Sequence, residues 1–305
     1  MGKRAKKPTF YCTQCGQEVI GFMGRCPGCG EFNTMEEAPV DSGGASRSSS
    51  GAGWSGAQMP RPVKLGEIGD EDHARIQTGI EEFDFVIGGG IVPGSFILLG
   101  GEPGVGKSTI LTQVADRLNR GTAGARPLYV SGEESPAQVK MRSRRLGESA
   151  MDLNFLAETE VGAVLRQVES FKPNVLIIDS IQTLHDSGVD GAPGGVKQLR
   201  HTAGELLRYA KAKGVAVFII GHVTKAGNLA GPRMLEHMVD TVVYFENTGD
   251  GEHRIMRAVK NRFGSDREIG VFRMTEAGLE PVPNPSEVFL ADRSEKSPGS
   301  AVTAV

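Results

Sequence analysis

The chain has 305 residues, 39% of them hydrophobic and 23% charged, which is enough for one sizeable globular core with small attachments. Its net charge of -3 offers no global attraction to a polyanion, so any contact with nucleic acid has to come from local basic patches. No apolar run is long enough to span a bilayer, and the basic start MGKRAKKPTF lacks the apolar stretch of an export signal, so the expectation is a cytoplasmic protein with no membrane partner.

The first predicted unit, residues 1–34, holds all four cysteines. Cys12 and Cys15 form one C-x2-C pair, Cys26 and Cys29 a second. Four thiolates presented on two tight turns complete a tetrahedral Zn²⁺ shell and leave no position for water, which makes this a structural zinc ribbon rather than a catalytic centre. Phe10, Tyr11, Phe22 and Phe32 are expected to supply its small apolar packing. Residues 35–60, dominated by Gly, Ser, Ala and Pro, read as a flexible linker in which the lone Trp54 has no assigned role.

Residues 61–284 alternate buried-strand runs with helix-period segments. Strands are expected at SFILLGG (95–101), PLYVSG (127–132), NVLIIDS (174–180), GVAVFIIGH (214–222) and DTVVYFE (240–246), all apolar along nearly their whole length, as strands covered on both faces are. STILTQVADRLNR and HTAGELLRYAKAKG carry apolar residues at helical spacing. The pattern predicts an α/β domain with a mainly parallel sheet, and HRIMRAVKN followed by IGVFRMTEAGLEPV predicts an antiparallel extension at one edge. Residues 285–305 read as a tail.

The chemistry is expected at strand ends. GGEPGVGKST, residues 100–109, places Gly101, Glu102, Pro103, Gly104, Val105, Gly106, Lys107, Ser108 and Thr109 between a buried strand and an amphipathic helix. That is the G-x4-G-K-[ST] phosphate loop: its N–H groups cradle the phosphates of ATP, Lys107 reaches the β and γ phosphates, and Ser108 ligates Mg²⁺. Asp179 closes a second strand, where a carboxylate holds the water shell of the same Mg²⁺. Glu133 and Glu134 follow a third; Glu133 is the chosen general base, with Glu134 read as a solvated helix acid. GGG at 88–90 reads as a turn, and KMRSRR at 140–145 as a solvated basic face. Two glycine-rich segments, 185–200 and 222–237, carry Lys197, Arg200, Lys225 and Arg233 and are expected to be mobile loops closing on phosphate backbone.

Taken together, the ribbon with GRCPGCGEFNT, then GGEPGVGKST, YVSGEES, LIIDSIQT, GHVTKAGNLAGPRMLEHMVDTVVYFE and VKNRFGSDREIGVFRM resemble, in this order, the RadA (Sms) family of bacterial DNA-repair proteins, relatives of the RecA recombinase. The resemblance covers residues 11 to about 290. It implies a RecA-like fold and a DNA-dependent ATPase, with helicase activity in some members. The partners it implies are single-stranded DNA, branched recombination intermediates and a recombinase, and it implies a homo-hexameric ring. It also implies that Lys260 and Arg262, in KNRFG, act in trans on a neighbour's γ-phosphate, and that His222 senses that phosphate. Family members continue into a C-terminal domain resembling the Lon protease fold, which this chain is expected to lack. Two other classes fit a phosphate loop: a small-molecule kinase, against which the ribbon and the two basic loops argue, and an ATP- and DNA-binding accessory module with little turnover.

Overall fold

The computed structural model describes residues 9–12, 18–37, 64, 74–121, 125–147, 152–222, 234–248 and 251–284. Cys15, Trp54, Lys225, Arg233 and residues 285–305 lie outside the described residues.

The ribbon is a small antiparallel sheet in the order β2 (Glu18–Ile20), β1 (Thr9–Cys12), β3 (Met35–Glu37). Met35 pairs with Cys12, so the ribbon runs past the boundary expected at residue 34 and takes its third strand from the start of the predicted linker. Its core is Cys12, Cys26 and Met35, with Phe10 and Val19 packed against them. Phe22 touches Phe10 edge-on at 5.5 Å yet is 66% exposed, and Phe32 is 67% exposed beneath the Arg25 guanidinium, so neither provides the interior packing expected of it.

The larger unit opens with α1 (Glu81–Val86) and is built on β4 (Phe96–Gly101), α2 (Lys107–Gly121), β5 (Pro127–Ser131), α3 (Pro136–Arg145), β6 (Phe155–Ala157), α4 (Val161–Phe171), β7 (Val175–Asp179), α5 (Val196–Lys213), β8 (Ala216–His222), α6 (Met234–Met238), β9 (Thr241–Asn247), β10 (His253–Asn261), β11 (Ile269–Thr275) and β12 (Gly278–Pro281). Among the described residues these strands form one nine-stranded sheet in the order β12-β11-β10-β9-β4-β8-β7-β5-β6. From β9 to β6 neighbouring strands are parallel, and β10 to β12 run antiparallel, as the apolar runs and the final hairpins predict.

Two apolar layers follow from the two-residue period of the strands. Ile97, Leu99, Tyr129, Ile177, Phe218 and Ile220 face α1 and α2; their sequence neighbours Leu98, Leu128, Val130, Leu176, Ile178, Val217 and Ile219 face α4 and α5. Helix α5 stops where Gly214 takes a left-handed conformation (φ 69°), a stop that glycine permits without a Cβ clash. No described helix is long and apolar enough to cross a membrane.

The sheet order matters for function. β4 lies between β8 and β9, while its helix crosses over to β5, two strands beyond β8. Chain reversals of this kind open a crevice at the carboxyl ends of the parallel strands. β4, β5, β7 and β8 deliver Gly101, Ser131, Asp179 and His222 to that edge.

Candidate functional site

Gly101 ends β4 in close contact with β9: a Cβ built there would stand 2.4 Å from the Phe245 carbonyl oxygen. Only glycine lets the loop leave the sheet at this point. Lys107 opens α2 and turns back into the loop, where its Nζ donates to the Gly101 and Glu102 carbonyls at 2.7 and 2.8 Å. The side chain is 4% exposed, and burial pulls its pKa down to about 8 against the opposing pull of Asp179, Glu133 and Glu102. A buried ammonium among carboxylates, at a helix start, is poised for a polyanion.

Asp179 is buried at the end of β7, and its Oδ2 accepts from the Tyr129 hydroxyl at 2.5 Å. Its Oδ1 is also buried and has no hydrogen-bond partner among the described residues. An orphaned carboxylate oxygen beside the loop that carries Ser108 fits the water shell of a hydrated Mg²⁺, a cation that takes oxygen ligands and keeps several waters. Ser108 itself is half-buried in the first turn of α2, where its carbonyl accepts from Thr112 at 2.6 Å.

The turn after β5 is set by Ser131, whose Oγ accepts from the backbone N–H groups of Glu133 and Glu134 at 3.3 and 3.1 Å. Gly132 passes so close to Thr183 that a Cβ would lie 2.3 Å from its Oγ1. Glu133 thereby points across the strand ends: its Oε1 accepts from the Ser180 hydroxyl and lies 2.9 Å from His222 Nε2. Chiefly the His222 contact, then the Ser180 bond, hold its carboxyl below the ordinary range against an opposing effect of burial. Glu134 turns the other way and pairs with Arg142 of α3 at 2.5 Å. It is not the solvated acid expected, and Arg142, 16% exposed, is not part of a solvated face. The structure thus separates two adjacent glutamates that the sequence alone barely distinguishes.

Lys260 and Arg262 stand elsewhere. Asp240, buried just before β9, accepts from the Phe96 N–H at 3.0 Å and pairs with Lys211 at 2.5 Å and Arg262 at 3.3 Å. Arg262 is thus level with the start of β4, five residues from Gly101, or about 16 Å along the strand. Lys260 donates to the Glu236 and Val239 carbonyls at the end of α6, at 2.7 Å each. Burial, then the neighbouring Arg262 charge, lower its pKa. Neither cation joins the crevice of its own chain. The GGG turn at 88–90 is more than a turn: Asn261 donates to the Ile87 carbonyl, Gly264 abuts Gly88, and Arg75 binds the Gly88 and Phe263 carbonyls, so the turn holds KNRFG in place.

The loop after β7 is also folded differently from expectation. Gln198, 2% exposed, binds the carbonyls of Asp186, Val189 and Gly191 and the N–H of Asp186, while His201 pairs with Asp186 at 2.7 Å. Lys197 and Arg200 belong to α5 rather than to a mobile loop. In the ribbon, the sulfurs of Cys12, Cys26 and Cys29 lie within 4.8 Å of one another, and Gly28 N–H donates to Cys26 Sγ at 3.3 Å. Clustered thiols with a backbone donor fit a thiolate-bound zinc ion.

A parallel sheet with a glycine loop running into a helix, a buried lysine at the helix start and a strand-end aspartate defines a RecA-like P-loop fold. A KaiC-like protein from Pyrococcus horikoshii OT3 shares this fold with a TM-score of 0.57 at 20% identity, over 69% of this chain and 100% of that one. Residues 60–228 match the AAA domain family, and residues 10–37 match a rubredoxin metal binding domain of zinc-ribbon type. The chain belongs to the AAA domain family. It is also 49% identical over 299 residues to the DNA repair protein RadA of Streptococcus pyogenes serotype M1, and 46% identical over 298 residues to that of Bacillus subtilis. Against the RadA of Pseudomonas aeruginosa it is 48% identical over 299 residues. These alignments take in 97–98% of this chain, and the chain spans 64% of the length of each of these relatives. The likeness to RadA read from the motifs therefore extends over nearly the whole chain.

Proposed function

We propose that the chain is a DNA-dependent ATPase of recombinational repair whose hydrolysis site is completed by a second copy of itself. The observation that carries this reading is a separation. Lys107, Asp179, Glu133 and His222 gather at the carboxyl ends of the parallel strands, while Lys260 and Arg262 sit level with the beginning of β4. Cations at that end are out of reach of their own phosphate loop and suited to serve a neighbour's.

In this reading the residues 101–109 bind the triphosphate, Lys107 neutralises its β and γ phosphates, and Ser108 and Asp179 hold Mg²⁺, which supplies charge neutralisation when bound. Glu133 takes the proton of the attacking water. A carboxylate held by both Ser180 and His222 is a weakened base, so basal turnover in the isolated chain is slow. His222 ends β8 and leads directly into segment 223–233, which gives a ligand of that segment a route to Glu133. Arg262, whose side chain is 58% exposed, is the better placed of the two cations to reach a neighbouring γ-phosphate, with Lys260 bracing the strand against α6. Cys12, Cys15, Cys26 and Cys29 together would hold one structural Zn²⁺. The substrates of such a motor are single-stranded DNA and branched intermediates, processed by branch migration or helicase-like translocation, in a ring of six subunits and alongside a recombinase.

The test is steady-state ATP hydrolysis with and without single-stranded DNA, using wild type, Lys107→Ala, and Arg262→Ala titrated into wild type. DNA-stimulated turnover that is abolished by Lys107→Ala and depressed more than in proportion by Arg262→Ala subunits supports the shared site. Dilution that is merely proportional removes the trans role. DNA binding with negligible turnover would make the chain an accessory module instead.

A further inference from the structure

We infer that Tyr129 is a positioning residue that orients Asp179, so that this buried carboxylate presents one free oxygen to the magnesium shell of a bound nucleotide. The inference rests on the nucleotide-site reading above and adds a residue that its motifs do not contain.

β5 and β7 pair in parallel with Tyr129 beside Ile177 and Ser131 beside Asp179. Residues two apart on a strand share a face, about 7 Å from each other. Tyr129 and Asp179 therefore face α2 from neighbouring strands, offset by the length of a tyrosine side chain. The phenol donates to Asp179 Oδ2 at 2.5 Å, and Oδ1, equally buried, is left without a partner among the described residues. One oxygen is pinned and the other is kept for something the chain does not itself supply.

Thr112, on α2, lies against the same phenol and donates to the Ser108 carbonyl at 2.6 Å. The residue type is informative. Tyr129 is wholly buried and its ring stacks on Phe155 at 6.2 Å, contacts that phenylalanine would make equally well. A hydroxyl there costs desolvation unless it is satisfied, and Asp179 satisfies it.

The test uses the full chain and Tyr129→Phe, which keeps the ring and removes the donor. The readout is binding of a fluorescent non-hydrolysable ATP analogue as Mg²⁺ is titrated, with binding in EDTA and the melting temperature measured alongside. The expected result is a rise of about tenfold in the Mg²⁺ needed for half-maximal binding, the loss typical of removing a group that orients a metal ligand. Binding in EDTA stays unchanged. Thr112→Val, which leaves the phenol in place but removes the hydroxyl beside it, is expected to shift the same curve less, and provides the test if Tyr129→Phe does not fold. Coincident Mg²⁺ curves for wild type and the variants would overturn the positioning role and leave the nucleotide site standing. Wild-type binding that is indifferent to Mg²⁺ would instead overturn the magnesium reading of Asp179, and this inference with it.

Discussion

Lys107 gives the sharpest prediction, because its charge is held in a place that resists it. In the free chain burial lowers its pKa from 10.5 to about 8. The sign follows from where the proton sits. Between those two values the unfolded chain keeps the proton and the folded chain releases it, so Lys107 makes stability rise with pH across that window. Below it the cost of burying the charge is present in full, about 3 kcal/mol. A bound triphosphate removes that penalty by offering the ammonium its counter-charge, which raises the pKa in the complex. Affinity must therefore fall as free Lys107 deprotonates. Nucleotide binding should be level up to about pH 7.5 and weaken roughly tenfold by about pH 9, or ~1.4 kcal/mol. The assay is titration calorimetry with a non-hydrolysable ATP analogue in saturating Mg²⁺, with Lys107→Arg as control. A guanidinium stays charged throughout, so the variant binds more weakly but with no such decline. A flat wild-type profile to pH 9 and beyond, at about the same slope as the Arg variant, would refute the buried-lysine reasoning.

Three further outcomes are expected. Asp240→Ala should cost about 2 kcal/mol, mainly by orphaning the Phe96 N–H, with little added by its two half-exposed cations; differential scanning calorimetry should show a melting temperature lower by about 6 °C. Gly101→Ala should cost on the order of 3 kcal/mol and abolish analogue binding, since neither its own backbone nor that of Phe245 can yield, whereas Gly104→Ala, with nothing within 4 Å, carries only the roughly 1 kcal/mol strain of its left-handed φ of 80°. Zinc removal by a strong chelator should unfold residues 10–37, seen as collapse of their amide NMR dispersion, and leave nucleotide binding intact; the metal supplies on the order of 10 kcal/mol to a ribbon whose own core is three buried side chains.

Much of this molecule was legible in the linear chain because its signals are local. Strands buried on both faces are apolar without interruption, and a helix covering them repeats its apolar residues every three or four positions, so β4, β7, β8, β9 and α2 could be placed within a residue or two. The phosphate loop is likewise a contiguous piece of backbone, and the cysteine spacing states its own chemistry. β6 is not legible in the linear chain because an edge strand of three residues has too few positions to show a period, whereas α4 does carry one, with Val161, Val164 and Val168 buried at helical spacing.

What the sequence could not carry is direction. Glu133 and Glu134 are chemically identical neighbours, and their division into a group facing His222 and a group facing Arg142 depends on Ser131 fixing the turn and on which partners β7, β8 and α3 bring up. Tyr129 looks like one more apolar residue of β5 until the parallel register sets it two residues from Asp179, and Asp240 looks like a strand-end acid until β4 and α5 close over it. The same holds for Lys260 and Arg262: their type is visible in KNRFG, but their distance from the phosphate loop arises only when β10 runs back antiparallel along β9. Backbone preferences and apolar periods act between near neighbours in the chain, so sequence alone determined the elements and the loop. Which side chains share one low-dielectric crevice depends on contacts across 47 to 89 residues, and only the packed sheet decided that.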